Sequence, residues 1–236
     1  TAAARLTTSH EPIYYGWKEE AAMLVKERMT RNPIFIRPET PVTEAQALMK
    51  REKIHHLPVL DKEEKLVGIV TEKDLLYASP SVATTLSVYE MTSLLAKLKV
   101  DKIMTREVVT VNEDVPLEEA ARIMADRRIG GLPIVRGRAL VGIITESDLF
   151  RIFIELLGAR RPGVRVSVTV PNEKGELARL ASAVTSAGGN IIALGTLPGE
   201  DPATGQCTLK VDGIAREALI SALTPVVRSV DDIRET

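Results

Sequence analysis

Two Thr-x-x-Asp pairs, Thr71 with Asp74 and Thr145 with Asp148, are the most chemically suggestive residues in this sequence. Each pair stands where an apolar run of strand type gives way to a polar helix start. At that spacing both side chains lie on one face of a first helical turn. A carboxylate there can accept two hydroxyls at once, as a vicinal diol offers, and the threonine hydroxyl beside it can donate or accept. The same spacing suits a helix cap, in which hydroxyl and carboxylate satisfy backbone N–H groups. The two uses can coexist. A further group, His55-His56, precedes Leu57-Pro58. Imidazole is partly charged near neutral pH, so an anion bound there would be bound pH-dependently. A solvated or packed histidine pair is the alternative. As a metal site the pair lacks the i, i+4 spacing, and no cysteine or acidic cluster stands near it.

The elements that must position these groups occur twice. Residues 29–76 and 104–150 align at an offset of 75, which becomes 74 after a one-residue difference in a charged loop. A duplicated unit tolerates a length change in such a loop. Each copy opens with a β-branched strand, predicted over 34–36 and 108–111. A proline follows, Pro41 or Pro116, suited to a helix start because it lacks the N–H that would be unpaired there. Apolar positions then recur at helical spacing: Val42, Ala45, Leu48 and Met49, matched by Leu117, Ala120, Ile123 and Met124. Two continuously apolar strands come next, LPVL and LVGIV in the first copy, LPIV and LVGII in the second, as expected where both faces are covered. A helix beginning near Glu72 or Glu146 closes the unit. One such unit alone would expose a sheet face, so the copies should pack together.

Both copies resemble CBS domains, on Gly68-Ile-Val-Thr71-Glu-Lys-Asp74 and Gly142-Ile-Ile-Thr145-Glu-Ser-Asp148, each preceded by Leu-Pro-Val/Ile. The resemblance implies a regulatory pair that binds an adenosine-containing ligand, AMP, ADP, ATP or S-adenosylmethionine, in the cleft between the copies. It implies ribose contacts for Thr71, Asp74, Thr145 and Asp148, and nucleotide contacts for Thr30 and Thr105. It also implies that His55 and His56 face the phosphates. The second copy has Gly130-Gly131 at that place, a departure for which Arg127-Arg128 could supply the cation; a solvated helix end is the alternative reading of that pair.

Before the first copy, residues 18–29 read as an amphipathic helix, with Trp17, Tyr14 and Tyr15 as packing anchors. Between the copies, Ser87 and Glu90 form a capping-box pattern, and Val88, Met91, Leu95 and Leu98 make one apolar stripe. That helix either docks on its own domain or pairs with a second chain. After Arg160-Arg-Pro-Gly163, residues 164–170 alternate as a half-buried strand. A turn, a helix ended by Gly188-Gly189, two strands, a helix over 216–226 and a last strand over 227–233 complete a β-α-β-β-α-β order, the ferredoxin-like arrangement. This part resembles an ACT domain, an amino-acid-sensing module. Asn172, Gly175 and Asn190 match that family's ligand positions; Asn and Gly suit such bends without a ligand too.

The expected fold is therefore α/β (α+β): two CBS units packed as a pair plus a C-terminal ferredoxin-like βαββαβ ACT domain. The expected segments are a tail and lead-in helix (1–28), CBS domain 1 (29–80), a linker helix (81–103), CBS domain 2 (104–158) and the ACT domain (163–236). A CBS pair followed by an ACT domain is similar to the acetoin utilisation AcuB-type proteins.

Composition excludes other classes. With 31 basic against 32 acidic side chains, the 236-residue chain has no dominant basic footprint for nucleic acid. One cysteine, Cys207, rules out an internal disulfide; its inward position on a strand assigns it to the core. No apolar run is long enough for a membrane span and the first residues carry no secretory pattern, so a cytoplasmic location is expected. No nucleophile–base order, phosphate loop or metal motif points to an enzyme, and no catalytic cofactor is expected. The reading is a sensor that binds a nucleotide and a small amino acid, forms a homodimer and acts on an unidentified regulated protein, with no nucleic-acid or membrane partner. The alternative is a structural adaptor whose ligand sites have lapsed.

Overall fold

A computed structural model of the chain describes residues 23–78 and 97–236. Residues 14–22 and 79–96, which carry Trp17, the start of the lead-in helix and most of the linker helix, lie outside the described residues. The chain divides into two compact units, Thr1–Glu146 and Ser147–Thr236.

The first unit contains the repeat. Copy one runs α1 (Val25–Arg28), β1 (Thr30–Arg31), α2 (Val42–Glu52), β2 (His56–Leu60), β3 (Leu66–Thr71) and α3 (Glu72–Ala78). Copy two supplies β4 (Val111–Asn112), α4 (Leu117–Arg127), β5 (Gly131–Arg136) and β6 (Ala139–Thr145), and α5 (Glu146–Leu156) opens at its end. Pro41 and Pro116 are the residues from which α2 and α4 start. The helices bury the predicted stripe, with Val42, Ala45 and Met49 on one and Leu117, Ala120 and Met124 on the other. Both end on a left-handed cation, Lys53 at φ 55° and Arg128 at φ 54°. Glycine would normally take such a position.

The two copies exchange their lead-in segments. Thr30 and Arg31 of β1 pair antiparallel with Ile143 and Gly142 of β6, in the other copy's sheet. Thr105, from the start of copy two, pairs with Ile69 of β3 through reciprocal backbone bonds of 3.0 Å. The flanking backbone repeats the exchange. Leu117 N donates to Met23 O at 2.9 Å, and Val42 N donates to Leu98 O at 2.8 Å. Val100 and Met104 are accordingly part of copy one's hydrophobic core, beside Val42, Leu57, Val59 and Leu75. Burying each apolar side chain there contributes about 1.5–3 kcal/mol, so each copy is completed only by the other's chain.

This exchange accounts for the glycine in each signature. A Cβ added at Gly68 would stand 2.5 Å from Met104 Sδ, and one at Gly142 would collide likewise with Met29 Sδ. The methionine that crosses over lies flat on the strand where a side chain would be. It also explains a departure from expectation. The strand predicted over 34–36 is reduced to one parallel bridge, Ile36 with Val59, and that over 108–111 to the pair Val111–Asn112. The intervening residues span from one copy's sheet to the other's, and Ile34 and Phe35 are left 40% exposed.

The second unit contains the rest of α5, then β7 (Val164–Pro171), α6 (Glu176–Ser186), β8 (Asn190–Pro198), β9 (Thr204–Asp212), α7 (Arg216–Leu223) and β10 (Ser229–Glu235). Its antiparallel sheet has the order β10-β7-β9-β8. Val164, Val166, Val168 and Val170 point inward against Leu180, Val184, Leu209, Leu219 and Leu223. Cys207 shares this core, and burial raises its thiol pKa. The helix expected over 216–226 stops at Leu223: Thr224 still bonds Ile220 O, but Pro225 has no N–H with which to continue the ladder.

Valine at Gly68 should therefore cost about 1–3 kcal/mol by overpacking, read as a lower urea midpoint. Met104→Ala in the same chain should recover part of that loss. An unchanged midpoint for Gly68→Val would contradict the exchanged packing.

Candidate functional site

The first Thr/Asp pair forms a reciprocal cap at the start of α3. Thr71 Oγ1 donates to Asp74 Oδ2 at 2.7 Å, Thr71 N donates to the same oxygen at 2.8 Å, and Asp74 N donates back to Thr71 Oγ1 at 3.3 Å. The capping use of this spacing is thus realised. Both residues are half-buried, and Asp74 Oδ1 has no hydrogen bond among the described residues.

Thr71 faces a cavity of about 310 Å³ that both copies build. Its walls include His56 and Thr71 from copy one, with Thr105, Val109, Arg128 and Gly130 from copy two. Thr105 reaches it because the lead-in exchange carries that residue onto β3. Of the predicted residues, Thr71, Thr105 and His56 converge on this cavity, with Asp74 bonded behind Thr71. Lys73, Glu107 and Val108, which also line it, were not marked by sequence; only the exchange of chains brings 105–109 to this wall.

The remaining predicted residues lie elsewhere. His55 turns outward, with Nδ1 2.7 Å from Glu72 Oε2 and its side chain 68% exposed. Thr30 is exposed on β1. Thr145 closes β6, and Asp148 stands on α5, where Oδ1 accepts from Arg151 Nη1 at 2.9 Å.

Gly130-Gly131 acquires a physical reason. A Cβ at Gly131 would stand 2.7 Å from His56 Cγ, and one at Gly130 would be 3.4 Å from His56 Nε2. The His56 ring lies over the backbone of its own repeat equivalent. Two side chains of that size cannot occupy the junction of the copies, so the repeat is asymmetric at this point. Burial, and secondarily the neighbouring His55, hold the His56 pKa below its ordinary value, against the opposing pull of Glu146 and Asp74. No group of three or more His, Cys, Asp or Glu suited to a metal is found among the described residues.

In the second unit, Asn172 and Gly175 line a cavity of about 570 Å³ together with Glu176, Thr196, Gln206 and Cys207. Asn172 Nδ2 donates to Pro202 O at 3.1 Å, and Gly175 takes φ +94° ahead of α6. Asn190 is not brought to them. It begins β8, whose other end, Pro198, borders the cavity, and eight strand steps span roughly 27 Å.

A family profile described as the CBS domain matches residues 25–81 and 100–155. A CBS domain-containing protein of Dictyostelium discoideum is 34% identical over 137 residues, covering 57% of this chain and 94% of that protein. The chain belongs to the CBS domain family. The matched segments contain both exchanged lead-ins and the cavity of the CBS pair. A solved structure, an acetoin utilisation protein (AcuB) of Vibrio cholerae, is similar at a TM-score of 0.50 and 34% identity, covering 59% of this chain and 96% of that one. An L-aspartate semialdehyde sulfurtransferase of Methanocaldococcus jannaschii is 34% identical over 131 residues, of which the chain spans only 23%.

The depressed His56 pKa has a measurable sign. Between that value and about 6.5, the unfolded chain binds the proton more readily, so stability rises with pH through this window and levels off above it. His56→Asn should flatten this acid-side slope in urea midpoints taken between about pH 5 and pH 7.5. Equal slopes for the two proteins would contradict a half-buried His56 whose pKa is lowered by folding.

Proposed function

We propose that the chain is a non-catalytic sensor whose CBS pair binds an adenosine-containing ligand. The observation that supports this most is the cavity of about 310 Å³ in which Thr71 of one copy meets Thr105 and the 128–131 segment of the other. The volume lies at the lower end of the range typical for small-molecule sites, about 300–1,000 Å³. Thr71 offers its hydroxyl at the rim. Asp74 behind it keeps one carboxylate oxygen for a ribose hydroxyl. Backbone and apolar groups of Val108, Val109, Ile129 and Pro133 suit a flat base.

Because the cavity is built from two copies, a ligand there contacts both. Such a ligand shifts the pair between arrangements only through unequal affinity for them. That is a means of regulation, exerted on a partner protein whose identity is a separate question. The second unit, with its β-α-β-β-α-β order, we read as a ferredoxin-like ACT domain. Asn172 and Gly175, beside the cavity of about 570 Å³, are its candidate groups for a small amino acid. Asn190 would join them only from a second chain, which favours a homodimer. No helix among the described residues is long and apolar enough to cross a membrane, in keeping with a cytoplasmic location.

Calorimetry with AMP, ADP, ATP and S-adenosylmethionine tests the nucleotide site. At least one should bind, and Asp74→Ala should weaken it by about 10–150-fold, the value of a hydrogen bond to a charged group. The thermal midpoint of the variant, expected to fall by the loss of one cap, shows that it still folds. Heat from none of the four would favour the adaptor reading, and unchanged affinity in Asp74→Ala would remove the ribose role.

A further inference from the structure

A groove of about 670 Å³ lies between α2 and α3 of copy one. Its floor is apolar, made by Met49, Ile54, Leu75 and Leu76. Met49 and Leu75 are buried, whereas Leu76 is 66% exposed and the adjoining Tyr77 74%. Its rim is basic. Lys50 and Lys53 stand one helical turn apart at the end of α2, and Lys73 stands at the start of α3. None of these three lysines forms an ion pair among the described residues. The neighbouring acids are already engaged. Glu72, which also lines the groove, lies 2.7 Å from His55 Nδ1; Glu52 accepts from Arg51 at 2.8 Å, and Asp74 caps α3 through Thr71.

Copy two shows that the fold does not need these cations. At the equivalent positions it keeps the apolar residues Met124, Ile129, Leu149 and Phe150. It has Ala125 for Lys50 and Ser147 for Lys73, and only Arg128, for Lys53, keeps the charge. Helices α2 and α4 nevertheless have the same length, 11 residues. The basic rim is therefore an addition of copy one to a common frame. An exposed apolar strip bordered by unmatched like charges is a surface complementary to an acidic, partly apolar partner. The long walls of the groove are helix sides, whose backbone groups bond within the helix. A guest strand would find no ladder to join, so recognition falls to side chains, as when an amphipathic helix lies in a groove.

We infer that this groove docks an acidic amphipathic helix of the protein that the chain regulates. The helix lays its apolar face on Ile54 and Leu76, and its carboxylates meet Lys50, Lys53 and Lys73. The inference rests on the reading of the chain as a regulator, and it holds whichever ligand the cavity of the CBS pair takes.

The test is fluorescence anisotropy on the full chain with two labelled helical peptides of about 15 residues, both with leucine at i, i+3, i+4 and i+7. One carries glutamate at the flanking positions and the other lysine. The glutamate peptide should bind more tightly, and raising the salt concentration should shrink the difference. Leu76→Ser should weaken it by about 10–150-fold, the loss of one buried leucine, and Lys50→Glu by about 3–10-fold. Lys73 is left in place because it also lines the cavity of the pair. Both substituted side chains are exposed, so thermal midpoints close to the parent's show that the variants fold. No binding, equal binding of the two peptides, or full affinity in both variants would overturn the docking assignment while leaving the nucleotide reading standing. Sedimentation of the chain without peptide addresses the other occupant: a dimer that either substitution dissociates would put a second copy on the groove and overturn the assignment as well.

Discussion

The structure of the CBS pair depends on the exchange of lead-in chains. Met104 and Thr105 leave their own copy and complete the sheet and core of the other, while Met29 and Thr30 do the same in return. The contact that allows this is methionine on glycine: at Gly68 and Gly142 the strand carries no side chain, and the crossing thioether fills the place. Met is well suited to it, because its flexible, polarisable side chain adapts to an irregular surface. The consequence is that neither copy has a complete core alone. The cavity exists at their junction for the same reason, since Thr105 is delivered to Thr71 by the exchanged segment.

A repeat of this kind starts from near two-fold symmetry, and the junction breaks it. Only one imidazole fits between the copies, so His56 faces Gly131 rather than a second histidine. The electrostatics follow. Copy one contributes Lys73 where copy two has Ser147, and copy two contributes Arg128 where copy one has Lys53. The walls of the described cavity thus come from different copies, and a ligand held between them would tie the halves together. That is how a small molecule can act on the pair as a whole.

Much of this was legible in the sequence. The helices α2 and α4 followed from apolar spacing and their prolines, and β2, β3, β5 and β6 from continuous apolar runs. The signature residues Thr71 and Asp74 were recognisable, though their spacing could not separate a cap from a ligand contact, and the hydrogen bonds show that the cap is made. The exchange was not legible. Periodicity reports which face of an element is buried, not whose sheet it joins. The residues 29–36 were therefore read as the approach to one strand, whereas the chain divides there, with Thr30 in one sheet and Ile36 bridging the other. Glu107 was missed as a wall residue for that reason, and Gly130-Gly131 read as a departure from the family pattern. Its neighbour across the junction shows it to be the space that His56 requires.

The most direct test of the account is a backbone amide NMR titration of the full chain with AMP. The junction cavity predicts saturable shifts concentrated at Thr71, Lys73, Thr105 and residues 128–131, from both copies together and at one common affinity. Shifts confined to one copy, or saturating AMP that leaves Thr71, Thr105 and Gly131 unmoved, would contradict a ligand site built by the exchanged chains.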